Sequence, residues 1–249
     1  MTDVAPTASV LIIGNEILSG RTQDVNLNYV AKKLGGIGVR LAEARVVADI
    51  EDDIVTALNE LRAKYTYVFT TGGIGPTHDD ITAASIARAF GVRVIEHPEA
   101  RARLAAHYTT PGQLTEARLR MARTPEGAEL IDNPVSSAPG FRVGNVYVLA
   151  GVPNIMQAMM DCALAGLRHG PAIHSMTVSG YVAESMVAKE LEEVAKRYPQ
   201  LDIGSYPWVK DGRFGTALVT RGTDRAAVVA ASDEIFALVQ KHDPAPERE

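Results

Sequence analysis

One transition recurs along the chain: a short apolar run breaks into glycine, and a pattern with helical spacing follows. Val10-Leu11-Ile12-Ile13 ends in Gly14, and Tyr67-Val68-Phe69-Thr70 runs into Gly72-Gly73-Ile74-Gly75-Pro76. Val146-Tyr147-Val148-Leu149 leads to Gly151-Val152-Pro153. A run that is apolar at every position suits a strand covered on both faces, and such strands are joined in parallel by helical crossovers. The pattern predicts an α/β fold with a mainly parallel sheet between helix layers, a three-layer αβα arrangement.

The intervening segments fit that rhythm. Helical spacing over residues 25–34 stops at Gly35-Gly36, residues 39–47 read as a strand, and Asp49 is placed to cap a helix with Ile50, Ile54, Ala57, Leu58 and Leu61 on one stripe. Residues 81–90 form a helix closed by Gly91, and residues 98–108, 114–122 and 154–167 are also expected to be helical. Residues 133–141 are turn-rich, and Val143 and Val146 to Leu149 suggest a hairpin around Gly144-Asn145. His169-Gly170-Pro171 divides the chain into a domain of residues 1–171 and a smaller one of residues 172–249. The smaller part reads strand (175–180), helix (184–197), strand (201–206), strand (214–220), helix (225–239), a small α+β unit of ferredoxin-like topology. Its charged, proline-containing end, residues 241–249, is expected to fray.

Composition narrows the partners. The 249 residues are 46% hydrophobic and 22% charged, which excludes a disordered chain, and no apolar run approaches the ~20 residues of a membrane-spanning helix. A net charge of −5 argues against nucleic acid, whose affinity rests on excess Lys and Arg. Cys162 stands alone, so no intrachain disulfide forms. The start MTDVAPTAS has no basic region followed by an apolar stretch, so no signal peptide is visible and the expected location is the cytoplasm.

The richest stretch is Thr70-Thr71-Gly72-Gly73-Ile74-Gly75-Pro76-Thr77-His78-Asp79-Asp80. Glycines at a strand end let backbone approach a ligand, and the following helix offers unpaired N–H groups to an anion. No Gly-Lys-Ser/Thr follows, so it is not a P-loop. Two carboxylates beside a phosphate repel it by about 4 kcal/mol per unit-charge pair at ~4 Å and an effective dielectric near 20. A bridging cation reverses that sign, and carboxylates plus phosphate suit Mg²⁺ or Mn²⁺. Alternatively, Asp79 or Asp80 caps the helix that follows. A second loop, Gly14-Asn15-Glu16-Ile17-Leu18-Ser19-Gly20-Arg21, with Asp24, Asn26 and Asn28 downstream, leaves the first strand at the same end of a parallel sheet, so Glu16 can join Asp79 and Asp80. Otherwise Glu16 is a surface residue in a turn. Gly151-Val152-Pro153-Asn154 is a third anion-accepting helix start. Arg118, Arg120 and Arg123 suit a phosphate clamp, though a charge run on a short helix is more often a solvated face. His78 is the histidine placed for acid–base work or beside a ligand. Zinc spacings and a Gly-x-Ser-x-Gly elbow are absent.

These loops together resemble the MoaB/Mog fold, the molybdopterin-binding domain of molybdenum cofactor biosynthesis, through Ile13 to Gly20, Thr70 to Asp80 and Ala150-Gly151-Val152-Pro153. Gly75-Pro76-Thr77-His78-Asp79-Asp80-Ile81-Thr82, and Asn133 with Ala138-Pro139-Gly140-Phe141, look most like the N-terminal part of the competence/damage-inducible protein A (CinA) family and like the related domain of some FAD synthases. Glu116 to Ala122, Pro125-x-Gly127-Ala128-Glu129 and Gly204-Ser205-Tyr206-Pro207 extend the likeness to FAD synthases over nearly the whole chain. Ala150 departs from the family's usual proline. Gly212-Arg213-Phe214-Gly215 has the letters of a KH loop but falls between two strands rather than two helices, which argues against RNA binding.

The resemblance implies metal-dependent hydrolysis of a nucleotide pyrophosphate, ADP-ribose or FAD, with Mg²⁺ or Co²⁺ and sometimes K⁺. In molybdenum cofactor proteins the fold instead binds the pterin phosphate, so a noncatalytic molybdopterin binder is the alternative. The length is expected to leave no room for the deamidase domain of full-length CinA proteins or the nucleotidyl-transferring domain of FAD synthases. A homo-oligomer, dimer or trimer, is expected. Loops and resemblance together single out Gly14, Ser19, Gly20, Asn26, Thr71, Gly72, Gly73, Gly75, Pro76, Thr77, Gly151 and Pro153 for a small phosphorylated ligand. Glu16, Asp79 and Asp80 are singled out for metal, and His78, Asp79 and Asp80 for catalysis.

Overall fold

The structure, a computed structural model, describes residues 5–249. Residues 1–4, part of the stretch in which no signal peptide is visible, lie outside the described residues. The chain separates into two compact units, the first ending at Gly170 and the second running Pro171–Glu249.

The first unit alternates strand and helix as expected: β1 (Thr7–Ile13), α1 (Asn15–Leu18), α2 (Asn26–Gly36), β2 (Arg40–Val47), α3 (Glu51–Lys64), β3 (Tyr67–Thr71) and α4 (Thr82–Phe90). There follow β4 (Val94–Glu96), α5 (Pro98–His107), α6 (Glu116–Leu119), a 3₁₀ turn (Arg120–Ala122), β5 (Arg123–Pro125), β6 (Glu129–Ile131), β7 (Gly140–Val143), β8 (Val146–Leu149) and α7 (Pro153–Leu164). The six-stranded sheet has the order β2-β1-β3-β8-β7-β6. Its first four strands are mutually parallel, and β7 and β6 add antiparallel beyond them. The hairpin around Gly144-Asn145 joins β7 to β8.

Strand periodicity builds both cores. On β1, Ala8, Val10 and Ile12 face one side with Phe69, Tyr147 and Leu149, against Val30 and Leu34 of α2 and Met156, Met159 and Met160 of α7. Leu11 and Ile13 face the other side with Val68, Val146 and Val148, against Ile54, Leu58 and Leu61 of α3 and Ile86 of α4. Each such large side chain, fully withdrawn from water, contributes about 1.5–3 kcal/mol. This is the three-layer αβα arrangement.

Several local expectations are corrected. Asp49 does not cap α3, whose preceding residue, Ile50, makes no side-chain cap; the Asp49 carboxylate instead accepts the Asn15 N–H at 2.8 Å. Helix α2 continues through Gly35 and Gly36, α7 ends at Leu164, and residues 114–122 hold only the single turn α6 and the 3₁₀ turn. The short strands β4, β5 and β6 carry too few residues to show a period.

Strand β2 lies at the sheet edge, and Glu43 ties it to the end of α3 by accepting from the Tyr65 hydroxyl and from Lys64 at 2.9 Å; within β2 it also accepts from Arg45 at 2.7 Å. These partners, Tyr65 first, hold the Glu43 carboxyl at about 2 against an ordinary 4.5. A carboxyl depressed on folding adds stability above its ordinary value and loses it as pH falls through 4.5 toward about 2. Glu43→Gln is therefore expected to reduce the loss of stability between pH 6 and about pH 3, read as urea midpoints. An equal loss in wild type and variant would contradict this.

The second unit contains β9 (His174–Gly180), α8 (Glu184–Arg197), β10 (Asp202–Lys210), β11 (Arg213–Gly222), α9 (Arg225–Gln240) and β12 (Glu247–Arg248). Its antiparallel sheet has the order β10-β11-β9-β12. The tail expected to fray is instead the closing strand: Glu247 and Arg248 pair with Ser179 and Val178. It completes the β-α-β-β-α-β pattern. Gly212 sits in the β10–β11 hairpin turn, in line with the argument against a KH loop.

Candidate functional site

Registers bring the carboxyl ends of β1, β3 and β8 side by side, with Ile12 opposite Thr71 and Thr71 opposite Leu149. The three glycine loops therefore leave the sheet together, at the end where open α/β sheets bind ligands. The backbones meet at Gly72. Its φ is +101°, and a Cβ there would stand 2.1 Å from the Ile13 carbonyl oxygen. A Cβ on Gly151 would lie 3.2 Å from Gly72 Cα.

Asp80 organises the loop between Gly72 and α4. Its carboxylate accepts the Gly75 N–H at 2.7 Å, the Thr77 N–H at 2.7 Å and the Thr77 hydroxyl. Thr82, fully buried, donates its hydroxyl to the Gly72 carbonyl at 2.9 Å and so fixes the loop from behind. Neither Asp79 nor Asp80 caps α4, which begins after Ile81 without a side-chain cap. The loop's donors are divided as a result: Gly72 N–H goes to Leu149, and Gly75 and Thr77 go to Asp80. Gly73 and Ile74 keep N–H groups without partners among the described residues.

Two cavities flank this loop. One of about 470 Å³ brings together Glu16, Gly72, Gly73, Gly75, Pro76, Asp80, Gly151 and Pro153 from the expected set, with Thr22, Asn133, Ser136 and Met159. The other, of about 430 Å³, is lined by Gly73, Gly75, Thr77, His78 and Asp80 with Arg120, Arg123 and Phe141. Gly14, Ser19, Gly20, Asn26, Thr71 and Asp79 line neither. Some of them shape it from behind: Asn26, buried, donates to the Gly151 carbonyl at 2.8 Å, and the Ser19 hydroxyl reaches the Glu16 carbonyl at 3.3 Å. Glu16 is exposed and folds its carboxylate over Gly14, where a Cβ would meet both oxygens at 2.6 Å.

The acidic trio is not assembled as one metal cage. Among the described residues no three His, Cys, Asp or Glu side chains converge as a metal-ligand group. Asp80 has turned to the loop's own donors, and Asp79 is exposed, its carboxyl held below the usual range by the Thr77 side chain, its own backbone and His78. The donor set still fits the way Mg²⁺ is often held, by one or two carboxylates with water and ligand phosphate completing the shell. Glu16, with the spare acceptor capacity of Asp80, supplies that much in the larger cavity.

Asn133 was legible as part of a turn-rich stretch and of the likeness to CinA proteins, but not as a wall of the cavity. Its side chain ties residues 133–138 into a wall, accepting from Val135 and Ser136 N–H and donating to Ser136 and to the Ala138 carbonyl. The Asn133-Pro134 pair was its local signal. Thr22 carried none, and the segments holding Ser136 and Met121 gave no sign of reaching this loop, because only folding brings them there.

A family model described as a probable molybdopterin binding domain matches residues 9–169. The chain belongs to that family. Within it the protein stands with CinA-type members. It is 30% identical to a CinA-like protein of Desulfosudis oleivorans over 79% of this chain, spanning about half (51%) of that relative. The crystal structure of CinA from Thermoplasma acidophilum is 36% identical and superposes with a TM-score of 0.59 over 63% of this chain and 95% of that one. A protein of Pyrobaculum calidifontis is 38% identical over 81% of each chain. Residues 172–246 match a model of the FAD synthase middle domain. Among the described residues no helix is long and apolar enough to cross a membrane.

Proposed function

We propose that the larger cavity binds a phosphorylated pterin or nucleotide, and that with a divalent metal the protein hydrolyses a nucleotide pyrophosphate of the ADP-ribose or FAD type. The observation that carries this is the division of donors in the Gly72–Thr77 loop. Asp80 locks the loop through three of its donors, while Gly73 and Ile74 offer free N–H groups to a phosphate oxygen in a cavity that also holds the first turn of α7. Membership of a molybdopterin-binding family and the match to an FAD synthase domain support a ligand of this class. Glu16 and Asp80 would hold Mg²⁺ or Co²⁺ together with the ligand's phosphate; K⁺ is a further candidate in the same shell. When bound, the metal would supply an activated water and neutralise charge developing at the P–O–P link. The chain's own part is to bind and orient the phosphate on Gly73 and Ile74, with Thr77 and His78 at the neighbouring cavity.

The dispersed acidic trio favours a second reading, a noncatalytic pterin or nucleotide binder. Incubation with ADP-ribose or FAD plus Mg²⁺ or Co²⁺, followed by chromatography for AMP, separates the two. AMP is the expected product. Saturable calorimetric binding without AMP under any metal selects the binder, and neither binding nor product removes both.

A further inference from the structure

The two cavities share the wall formed by Gly73, Ile74, Gly75, Asp80 and Met121, yet their charges differ. Glu16 lies on one side; Arg120 and Arg123 lie on the other. The two arginines bracket the 3₁₀ turn, where three residues per turn set positions i and i+3 on one face. The arginines around them are engaged. Arg118 donates to the Gln113 carbonyl and stacks on Tyr108, Arg101 pairs with Glu96, and Arg93 pairs with Glu126. Glu96 is the residue opposite Arg123 in the β4–β5 ladder, so its pairing with Arg101 takes the acid nearest in register. The side chains of Arg120 and Arg123 have no hydrogen bond or ion pair among the described residues, although both line a concave site that contains the glycine loop.

We infer that Arg120 and Arg123 form a metal-independent anion subsite that takes the second phosphoryl group of an organic diphosphate, across the glycine loop from Glu16. The inference rests on the phosphate-loop reading above and narrows its ligand to diphosphates rather than monophosphates. Two guanidinium groups offer paired donors to one phosphoryl group without a cation. On the Glu16 side the loop amides face the phosphoryl group with no guanidinium beside them. A diphosphate lying over the shared wall would thus have one group on the loop amides and one between the arginines.

The test is calorimetry on the full chain in EDTA, with inorganic pyrophosphate and inorganic phosphate as probes, for wild type, Arg120→Gln, Arg123→Gln and the double variant. Wild type is expected to bind pyrophosphate at least about tenfold more tightly than phosphate, and each substitution to weaken pyrophosphate by about tenfold and phosphate by clearly less, since the loop amides still hold it. Both positions are exposed, so melting temperatures should match and exclude a folding effect. Pyrophosphate affinity unchanged in the double variant, or wild-type pyrophosphate binding no tighter than phosphate, overturns the subsite. In either case phosphate binding by wild type, and its loss in Asp80→Ala, still reports on the loop. A failure of the subsite is thereby distinguished from a failure of the proposed function.

Discussion

Replacing Gly72 by alanine is expected to lower the stability of the first unit by about 3–5 kcal/mol, the sum of a backbone forced into the left-handed region and an overpacked contact. The backbone has φ +101°, and the new Cβ would fall 2.1 Å from the carbonyl oxygen of Ile13. That oxygen belongs to β1, which is hydrogen-bonded between β2 and β3 and cannot yield as a flexible side chain would. The loss is a large fraction of what an ordinary domain possesses. Differential scanning calorimetry should show a transition lowered by on the order of 10 °C, and phosphate binding should vanish with it. Gly20→Ala is the control. Its φ is +72° and nothing lies within 4 Å of the Cβ position, so only the backbone term applies, about 1 kcal/mol. A Gly72→Ala midpoint no lower than that of Gly20→Ala would refute the close-approach argument.

Asp80→Ala is expected to cost ligand binding more than stability. It removes three charge-assisted hydrogen bonds that hold Gly75 and Thr77 in the loop, each worth about 1.5–3 kcal/mol to the arrangement they organise. Two backbone N–H groups beside a partly open cavity can then turn to water, which limits the loss in fold stability. The preorganised donors of Gly73 and Ile74 go with the loop, so phosphate affinity should fall by about a hundredfold, or roughly 2.7 kcal/mol. Metal dependence separates the roles available to this carboxylate. A loop organiser loses affinity equally in EDTA and in Mg²⁺, whereas a residue acting only as metal ligand loses it only in Mg²⁺. Asp80→Asn should recover little, because its amide presents donors to donors. Unchanged phosphate affinity in EDTA for Asp80→Ala would sink the organising role.

These two residues show how unevenly a site is written into a chain. Gly72 was legible as a point where backbone must come close, but the expected approach was to a ligand, whereas the approach in the structure is to the Ile13 carbonyl oxygen. Asp80 was legible as important but not in its role. Its adjacency to Asp79 suggested a shared cation, yet side chains of successive residues need not face one point, and Asp80 bends back to Gly75 and Thr77. Asp49 teaches the same lesson. Asp before a helical pattern is a sound capping signal, but its carboxylate reaches Asn15, a partner 34 positions away that no local rule supplies. Arg120 and Arg123 read locally as a solvated charge run. Their place beside the glycine loop follows from the β4–β5 and α5 packing that carries the 3₁₀ turn.

The sequence by itself determined the layers, the mainly parallel direction of the sheet's centre, the hairpin at Gly144-Asn145 and the end of the sheet where the three glycine loops gather. Periodicity and glycine are local signals, and solvent exclusion on one or both faces acts on every residue of an element at once. Tertiary structure alone decided which donors of the glycine loop stay free, that Asp80 is internal to it, that Asn133 walls the cavity and that residues 247–248 close the smaller sheet. Each of these depends on one hydrogen bond or one strand pairing between distant or freely rotating groups. The energy of a single such contact is too small to leave a pattern in the chain, yet large enough, once the cores have packed, to choose where a side chain points.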